Sequence, residues 1–168
     1  RDRSPSRGLG DVYKRQVYGG GNIGLMGVLG DAATAHGLHI TGIIPRSLVD
    51  REIAHPGLTE LEVVDTMAQR KARMEQLADT YIALPGGVGT LEELSEVLTL
   101  QQLGEITGPI VLYNIDGFWA PFVYTLQCMC DAGFINPKYI ATLIVVDNPD
   151  DLFAALEQWH APGGKWGD

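Results

Sequence analysis

The amino-acid sequence predicts an α/β protein in which a parallel sheet carries helices on both faces. Short apolar runs alternate with helical patterns of about ten to fourteen residues, and this alternation is typical of repeated βαβ units. Two glycine-rich turns each follow an apolar run and lead into a helical pattern. Ligands in open α/β sheets bind beyond the carboxyl ends of the strands, which is where such turns lie.

The first half of the chain supplies two strands and two helices. Gly37 ends the first helix and Pro45 ends the strand that follows it, while Asp65 or Thr66 provides a cap for the second helix. The expected order is a strand ending at Tyr18, a glycine-rich turn at 19–24, a helix at 25–36, a strand at 38–44, a mixed segment at 46–64 and a helix reaching 78.

The second half continues the alternation. Asn148 is expected to cap the last helix, with Pro149 at its first position. Leu94, Val97, Leu98 and Leu103 form the inward face of the third helix. The expected elements are a strand at 80–84, a turn at 85–90, a helix at 91–103, a strand at 109–113, a helix at 119–132, a strand at 142–146 and the final helix.

Three segments are distinguished along the chain. Residues 1–16 are polar and basic without apolar periodicity, and we interpret them as a non-native or disordered N-terminal segment. Residues 17–160 are expected to form a single domain, because they contain no linker and no internal repeat. Residues 161–168 are expected to be a flexible tail.

Charge and composition disfavour several classes of protein. Residues 17–168 contain seven basic and nineteen acidic side chains, a balance that repels a phosphate backbone, so we expect no nucleic-acid partner. No apolar stretch is long enough for a bilayer and no signal peptide opens the chain, which favours a cytoplasmic protein without a membrane partner. Cys128, Cys130 and the four histidines lack metal-ligand spacing, and we expect the thiols to be reduced and mostly buried.

The strongest motif is PGGVGTLEE at residues 85–93, between a strand and a helix. Its glycines let the backbone turn sharply and approach an anion closely. The amides of Gly87, Val88, Gly89 and Thr90 are expected at a helix N-terminus, where N–H groups without helical partners and the helix dipole favour a phosphate. A plain glycine-rich turn between strand and helix is the alternative interpretation.

Two carboxylates follow in the same motif. We place Glu92 and Glu93 in the first turn of the helix, where a carboxylate complements the helix dipole. The functional alternative is that one of them polarises water or steadies an oxocarbenium-like sugar. Adjacent helical residues point about a third of a turn apart, so at most one of the two faces a ligand.

A basic pair lies in the helix before this motif. The planar guanidinium of Arg70, next to Lys71, suits phosphate or sugar oxygens. The helix has an apolar stripe formed by Met67, Met74 and Leu77. The spacing is therefore equally compatible with a solvated face that Arg70 shares with Arg73.

The first glycine-rich turn, GGGNIGLMG from Gly19, contains a formal G-x-G-x-x-G that opens a helix after a strand. The next strand ends in Ile44 and Pro45 rather than in an acidic residue that could hold a ribose diol. A dinucleotide cofactor is therefore disfavoured. A mononucleotide is compatible with this turn, with Gly20 and Gly21 as its contacts.

Taken together, these segments resemble the Lonely Guy family of cytokinin riboside 5′-monophosphate phosphoribohydrolases, often labelled lysine decarboxylase-like. The resemblance covers most of residues 17–135, and PGG-x-GT-x-x-E after an Arg-Lys pair is specific to the family. The segments that carry it are YGGGNIGLMG at 18–27, MAQRKARM at 67–74, PGGVGTLEELSEVLT at 85–99 and QLGEITGPIVLYNIDGFW at 102–119.

The resemblance implies a homodimer of Rossmann-like subunits that needs no cofactor. It also implies that Arg70 and Glu93 are the catalytic pair. Members of the family begin with a strand and a helix that residues 1–16 do not match, so we expect the fold to lack them. The residues expected to contact the nucleotide are Gly20, Gly21, Glu52, Arg70, Lys71, Gly86, Gly87, Val88, Gly89, Thr90, Leu91, Glu92, Glu93 and Thr99.

The implied reaction is hydrolysis of the N-glycosidic bond of a nucleoside 5′-monophosphate, either AMP or a cytokinin riboside 5′-monophosphate. An alternative is a non-catalytic carrier of a nucleotide or of the molybdenum cofactor, because such carriers share this fold. A pyridoxal-dependent lysine decarboxylase is disfavoured, since it needs a Schiff-base lysine. Lys71 is the lysine nearest the proposed site, and it stands in a phosphate-binding context.

Overall fold

The structure is a computed structural model that describes residues 15–49, 51 and 54–165. The chain divides into two compact units, the first reaching Leu77 and the second beginning at Ala78. Each unit has a three-stranded parallel sheet and helices. The predicted α/β class is therefore confirmed, with the parallel strands distributed over two sheets.

The first unit is built around strand β2. Its sheet has the order β1-β2-β3, and both neighbours run parallel to β2. The elements are β1 (Arg15–Tyr18), α1 (Leu25–Ala35), β2 (His39–Pro45), a 3₁₀ turn (Arg46–Leu48), β3 (Glu60–Val64) and α2 (Met67–Leu77).

Burial explains why β2 is the centre of that sheet. Ile40, Ile43 and Ile44 are fully buried, as expected for a parallel strand that is covered on both faces. Ala33 of α1 and Tyr18 of β1 pack with Ile40 in one apolar cluster. The carboxyl end of β1, where the first glycine-rich turn begins, is thus fixed against a rigid strand.

The second unit repeats this plan around β5. Its sheet has the order β4-β5-β6, again with parallel neighbours. The elements are β4 (Tyr81–Ala83), α3 (Val88–Leu103), β5 (Ile110–Tyr113), a 3₁₀ turn (Ile115–Gly117), α4 (Ala120–Asp131), α5 (Pro137–Ala141), β6 (Ile144–Val146) and α6 (Pro149–Gln158).

Alternate residues of β5 face two different apolar clusters. Ile110 and Leu112 pack with Leu94 of α3 on one face, and Val111 packs with Leu152 of α6 on the other. This is the two-residue period of a strand. It confirms that helices cover both faces of the sheet in this unit.

Some sequence-based boundaries were wrong. β1 begins at Arg15, inside the segment 1–16 that we interpreted as unfolded, because Arg15 and Gln16 pair with His39 and Ile40; residues 1–14 lie outside the described residues. The mixed segment 46–64 ends in the strand β3, whose residues alternate between acidic and apolar types.

Other corrections concern burial. Cys128 is exposed and Cys130 half-buried, because α4 turns a different face to the sheet from the one that carries the thiols. Leu103 is exposed at the end of α3 rather than inward. The final helix agrees with expectation: Asn148 caps it by accepting a hydrogen bond from the Asp151 amide, and Pro149 follows. None of the helices in the described ranges has the length and apolar character needed to cross a bilayer.

Candidate functional site

The first glycine-rich loop, residues 19–21, directly follows β1. Three successive carbonyls of this loop accept hydrogen bonds from three different donors. The Arg70 guanidinium donates to the Gly19 carbonyl at 2.9 Å, the His55 amide donates to that of Gly20 at 3.1 Å, and the Tyr18 hydroxyl donates to that of Gly21 at 3.2 Å. The loop is therefore held in one shape by groups from β1, α2 and the segment after residue 53.

Close approach explains why glycines are needed here. A Cβ at Gly19 would overlap the Arg70 Nη2 atom and lie 2.9 Å from Cζ. A Cβ at Gly42, in the middle of β2, would lie 2.6 Å from the Gly20 Cα. Gly20 also has a φ of 76°, a left-handed value that favours glycine. The loop thus lies against Gly42 of β2, and the absence of a side chain at Gly19 leaves the space that the Arg70 head group occupies.

Arg70 is the one buried residue of α2, all of which is described, and only 5% of it is exposed. The predicted apolar stripe of this helix is wrong in part, because Met67 and Leu77 are exposed. Arg73 instead pairs with Glu62 of β3 at 2.9 Å, as a half-exposed ion pair. The solvated-face interpretation therefore describes Arg73 and not Arg70. Since burying a cation is costly unless it is compensated, Arg70 is a candidate functional residue.

His55 is a buried residue that the sequence interpretation missed. Its Nδ1 accepts a hydrogen bond from the Gly57 amide at 3.1 Å, and its Nε2 lies 3.1 Å from the Asp31 carboxylate. Because a neutral imidazole carries one N–H, these contacts select the form with the proton on Nε2. Nothing in the linear pattern distinguishes His55 from the other three histidines, so the sequence contained no signal for it.

Tyr18 is the third residue that holds the loop, and its environment keeps it a donor. Burial raises the pKa of Tyr18 to about 12, and the nearby Asp31 carboxylate adds a smaller effect in the same direction. A tyrosine of ordinary pKa is already protonated at neutral pH, and the raised pKa of Tyr18 extends the protonated range to more alkaline pH. Its O–H is then available for the Gly21 carbonyl.

The second glycine-rich turn, residues 85–90, lies in the other unit and opens α3. The helix begins at Val88 rather than at 91, because Gly87 is extended and already accepts a hydrogen bond from the Leu91 amide at 3.1 Å. Val88, Gly89 and Thr90 are therefore the first three helical residues, whose N–H groups have no carbonyl partner within the helix. Val88 is 83% exposed.

Side-chain packing accounts for the pattern of the motif. A Cβ at Gly86 would overlap the Thr90 hydroxyl and lie 2.8 Å from the Thr90 Cβ, so the threonine folds back over this glycine. A Cβ at Gly87 or Gly89 would meet nothing within 4 Å. The turn is thus closed on the Thr90 side and open around Gly87 and Gly89, as an anion-binding turn requires.

The two glutamates lie one turn further along α3 than the sequence predicted, because the helix begins earlier. Glu92 follows Val88 by four residues and Glu93 follows Gly89 by four, so each lies below one residue of the open turn. Glu93 is half-buried, whereas Glu92 is exposed. Because Glu93 is the less exposed of the two, it is the better candidate for the functional carboxylate. Both glutamates lie beyond the first turn of α3, where the helix dipole stabilises a carboxylate only weakly.

The remaining predicted residues are distributed as follows. Gly20, Gly21, Arg70 and the half-buried Lys71 belong to the first unit, where Arg70 contacts Gly19, the residue next to Gly20. Glu52 lies outside the described residues. Leu91 is exposed beside the turn, and the exposed Thr99 donates its hydroxyl to the Ser95 carbonyl of its own helix. Gly86, Gly87, Val88, Gly89, Thr90, Leu91, Glu92, Glu93 and Thr99 all lie in the second unit.

One lysine of the second unit has a structural role. The Lys138 ammonium donates to the Gly164 carbonyl at 3.2 Å and lies 5.0 Å above the Tyr139 ring. Lys138 borders a depression of about 450 Å³ that none of the predicted site residues lines.

Known proteins are similar to this chain over most of its length. The family described as "Possible lysine decarboxylase" matches residues 26–156. The cytokinin riboside 5′-monophosphate phosphoribohydrolase LOG2 of Arabidopsis thaliana is 44% identical over 85% of the chain, and its counterpart LOG of Oryza sativa is 42% identical over 90%. The chain spans 67% and 64% of the length of these two relatives.

Among solved structures, the molybdenum cofactor binding protein of Rippkaea orientalis is similar in fold. It has a TM-score of 0.62 at 18% sequence identity, over 85% of this chain and 76% of that protein. At this identity the similarity concerns the fold alone. The match to residues 26–156, together with identities above 40%, shows that the chain belongs to the family described as possible lysine decarboxylases, which is the family its motifs resemble.

Proposed function

We propose that this protein hydrolyses the N-glycosidic bond of a nucleoside 5′-monophosphate, releasing a free base and ribose 5-phosphate. The observation that carries the proposal is the buried Arg70 guanidinium, which lies against the carbonyl of Gly19 just beyond the carboxyl end of β1. This is the edge at which parallel α/β sheets bind ligands. The relatives named as phosphoribohydrolases support the same reaction.

The phosphate would be held by the second glycine-rich turn. The N–H groups of Val88, Gly89 and Thr90 begin α3, and the backbone around Gly87 and Gly89 is sterically open. Amides at a helix start donate to an anion, and the helix dipole adds to the attraction. The family resemblance also implies that Lys71, in the first unit, contacts the nucleotide.

Glu93 would act on the sugar. In the reaction a water molecule attacks the anomeric carbon while the glycosidic bond breaks, and the bonding electron pair leaves with the base. The water gives up one proton and the departing base takes up one, so atoms and charge balance. The Glu93 carboxylate would accept the proton of the water or stabilise the positive charge that develops on the ribose. Arg70 would orient the phosphoribosyl group.

Several finer features belong to this proposal and rest on the family resemblance. The substrate is AMP or an N6-modified, cytokinin-type nucleotide, and Glu52 and Thr99 contact it. The protein acts as a homodimer in the cytoplasm and needs no cofactor.

The direct test is to incubate the purified protein with AMP and with isopentenyl-adenosine monophosphate, and to separate free base from nucleotide by chromatography. We expect base release that falls by about 100-fold or more in Glu93→Gln. Glu105→Gln, which removes an exposed carboxylate just after α3, is the matched control and should leave the rate unchanged. Nucleotide binding by the wild type without any base release would contradict the hydrolase and favour a carrier.

A further inference from the structure

The first glycine-rich loop is anchored by a residue outside the proposed chemistry, in addition to its contact with β2. The backbone amide of His55 donates to the Gly20 carbonyl. Next to it, Gly21 and Ala54 form an isolated antiparallel bridge. The position of residues 54 and 55 therefore determines where Gly20 and Gly21 lie.

The side chain of His55 fixes that position. The imidazole is buried against Gly30 of α1, where a Cβ would lie 2.6 Å from its Cδ2 atom. Nδ1 accepts from the Gly57 amide, which closes a tight turn over Pro56. Nε2 donates toward Asp31 of α1. One side chain thus ties α1, the segment 54–57 and the loop into a single arrangement.

The two hydrogen bonds of the imidazole differ in how strongly water competes with them. The Gly57 amide donates to a nitrogen of a side chain that is only 4% exposed, so water competes little for this nitrogen. The Asp31 side chain is mostly exposed, and water competes for its carboxylate. The contact with Gly57 is therefore the one on which the geometry depends.

We propose that His55 is a positioning residue, which acts on Arg70 through the first glycine-rich loop and does not touch the substrate. It holds Gly20 so that the preceding Gly19 carbonyl faces the Arg70 guanidinium at hydrogen-bond distance. This inference rests on the proposed function in assigning Arg70 a role in catalysis. The arrangement of the loop itself is independent of that function.

Two variants of His55 separate its polar role from its bulk. In His55→Gln the amide oxygen can accept from Gly57 and the amide nitrogen can donate to Asp31. In His55→Leu both contacts are lost while the apolar volume is kept. His36→Leu, at an exposed histidine at the end of α1, is the matched control.

Steady-state kinetics with AMP give the first measurement. We expect kcat to fall by about 10- to 100-fold in His55→Leu, to be largely restored in His55→Gln and to be unchanged in His36→Leu. In the double variant with Arg70→Lys, His55→Leu should cause no further loss, because its effect passes through Arg70. Equal losses of kcat in the two Arg70 backgrounds would overturn the proposal. His55→Met, which also lacks both hydrogen bonds and keeps the apolar volume, replaces His55→Leu if the latter does not fold.

A second measurement does not depend on turnover. In protein with ¹⁵N-labelled arginine, the buried Arg70 side chain should give a distinct Nε–H resonance, identified by its absence in Arg70→Lys. We expect this resonance to shift or broaden in His55→Leu and to be retained in His55→Gln. If the wild type releases no base but the resonance behaves in this way, the proposed function fails and the positioning role stands. A resonance that is identical in His55→Leu and wild type would overturn the positioning role.

Discussion

At the scale of single residues, Arg70 shows what a sequence pattern leaves open. The spacing of α2 allows Arg70 and Arg73 to share one exposed face. In the structure Arg73 pairs with Glu62 near the surface, whereas Arg70 is buried against Gly19. Which of two arginines three positions apart turns inward depends on tertiary contacts, and those contacts come from a loop 51 residues earlier in the chain.

The first prediction concerns the space that Gly19 leaves for Arg70. In Gly19→Ala the new methyl group would occupy the position of the Arg70 guanidinium. We expect kcat for AMP hydrolysis to fall by about 10- to 100-fold, because the arginine must move by roughly an ångström or more. The measurement is steady-state kinetics together with a thermal unfolding curve, which shows whether the variant is folded. A folded Gly19→Ala protein with wild-type kcat would contradict a role for Arg70 at this position.

A second prediction at this scale concerns Tyr18 and pH. Its pKa is raised to about 12 in the folded protein, whereas an unfolded tyrosine titrates near about 10. The folded state therefore holds the proton more tightly, and the resulting stabilisation is complete below about pH 10 and is lost as the pH rises toward about 12. We expect the free energy of unfolding to fall by roughly 2 kcal/mol over this window on account of Tyr18.

Comparison of the wild type with Tyr18→Phe isolates this effect, because the lysines and the remaining tyrosines are the same in both proteins. Urea unfolding at several pH values between about 9 and 12 gives the two stability curves. The curve of the variant should fall less steeply. Parallel curves would show that Tyr18 titrates in the folded protein as it does in the unfolded chain.

At the scale of secondary-structure elements, the sequence predicted best where an element is uniformly buried. β2 and β5 are buried over almost their whole length, and both were placed within one or two residues. β3 was missed because Glu60 and Glu62 interrupt its apolar residues on a half-exposed edge strand. The start of α3 was placed three residues late, because glycines at 86, 87 and 89 indicate a loop by composition although the last of them is helical.

This corrected helix start gives the third prediction. Val88 is the first helical residue, a position at which proline fits, and the extended Gly87 before it is compatible with a following proline. Val88→Pro should therefore fold normally while it removes one backbone N–H from the proposed phosphate site. We expect KM for AMP to rise about tenfold, as for the loss of one hydrogen bond to a charged group.

Val88→Ala keeps the amide and removes only an exposed side chain, so it serves as the matched control and should leave KM unchanged. Isothermal titration with AMP or ribose 5-phosphate provides the same comparison as a binding constant. An unchanged KM in a folded Val88→Pro protein would show that the phosphate does not bind at this amide. An equal rise in both variants would assign the effect to the side chain instead.

At the scale of the whole molecule, composition and motif order predicted the α/β class and the family, but not the distribution of exposed apolar groups. Tyr124, Met129 and Phe134 lie on α4 and just after it, and we call them the α4 surface. Tyr124 is 71% exposed and Phe134 is 85% exposed. Helical spacing alone could not show this, because inward and outward faces of α4 both contain large apolar residues.

The fourth prediction follows from the α4 surface. Exposed aromatic residues and methionines are enriched at protein–protein contacts, and a homodimer is the assembly that the family resemblance implies. We expect the purified protein to have a mass in solution of twice the 18.2 kDa of one chain, measured by light scattering after size-exclusion chromatography. A charge at such a contact is costly to bury, so Tyr124→Asp should shift the mass toward that of the monomer.

Val28 of α1 provides the control for this prediction, because it is 63% exposed but belongs to the other unit. Val28→Asp should leave the mass unchanged if the α4 surface forms the contact. If Val28→Asp dissociates the dimer and Tyr124→Asp does not, the interface lies at α1 rather than at the α4 surface. A monomeric wild type at micromolar concentration would instead contradict the dimer and leave the α4 surface without a partner in a second copy of this chain.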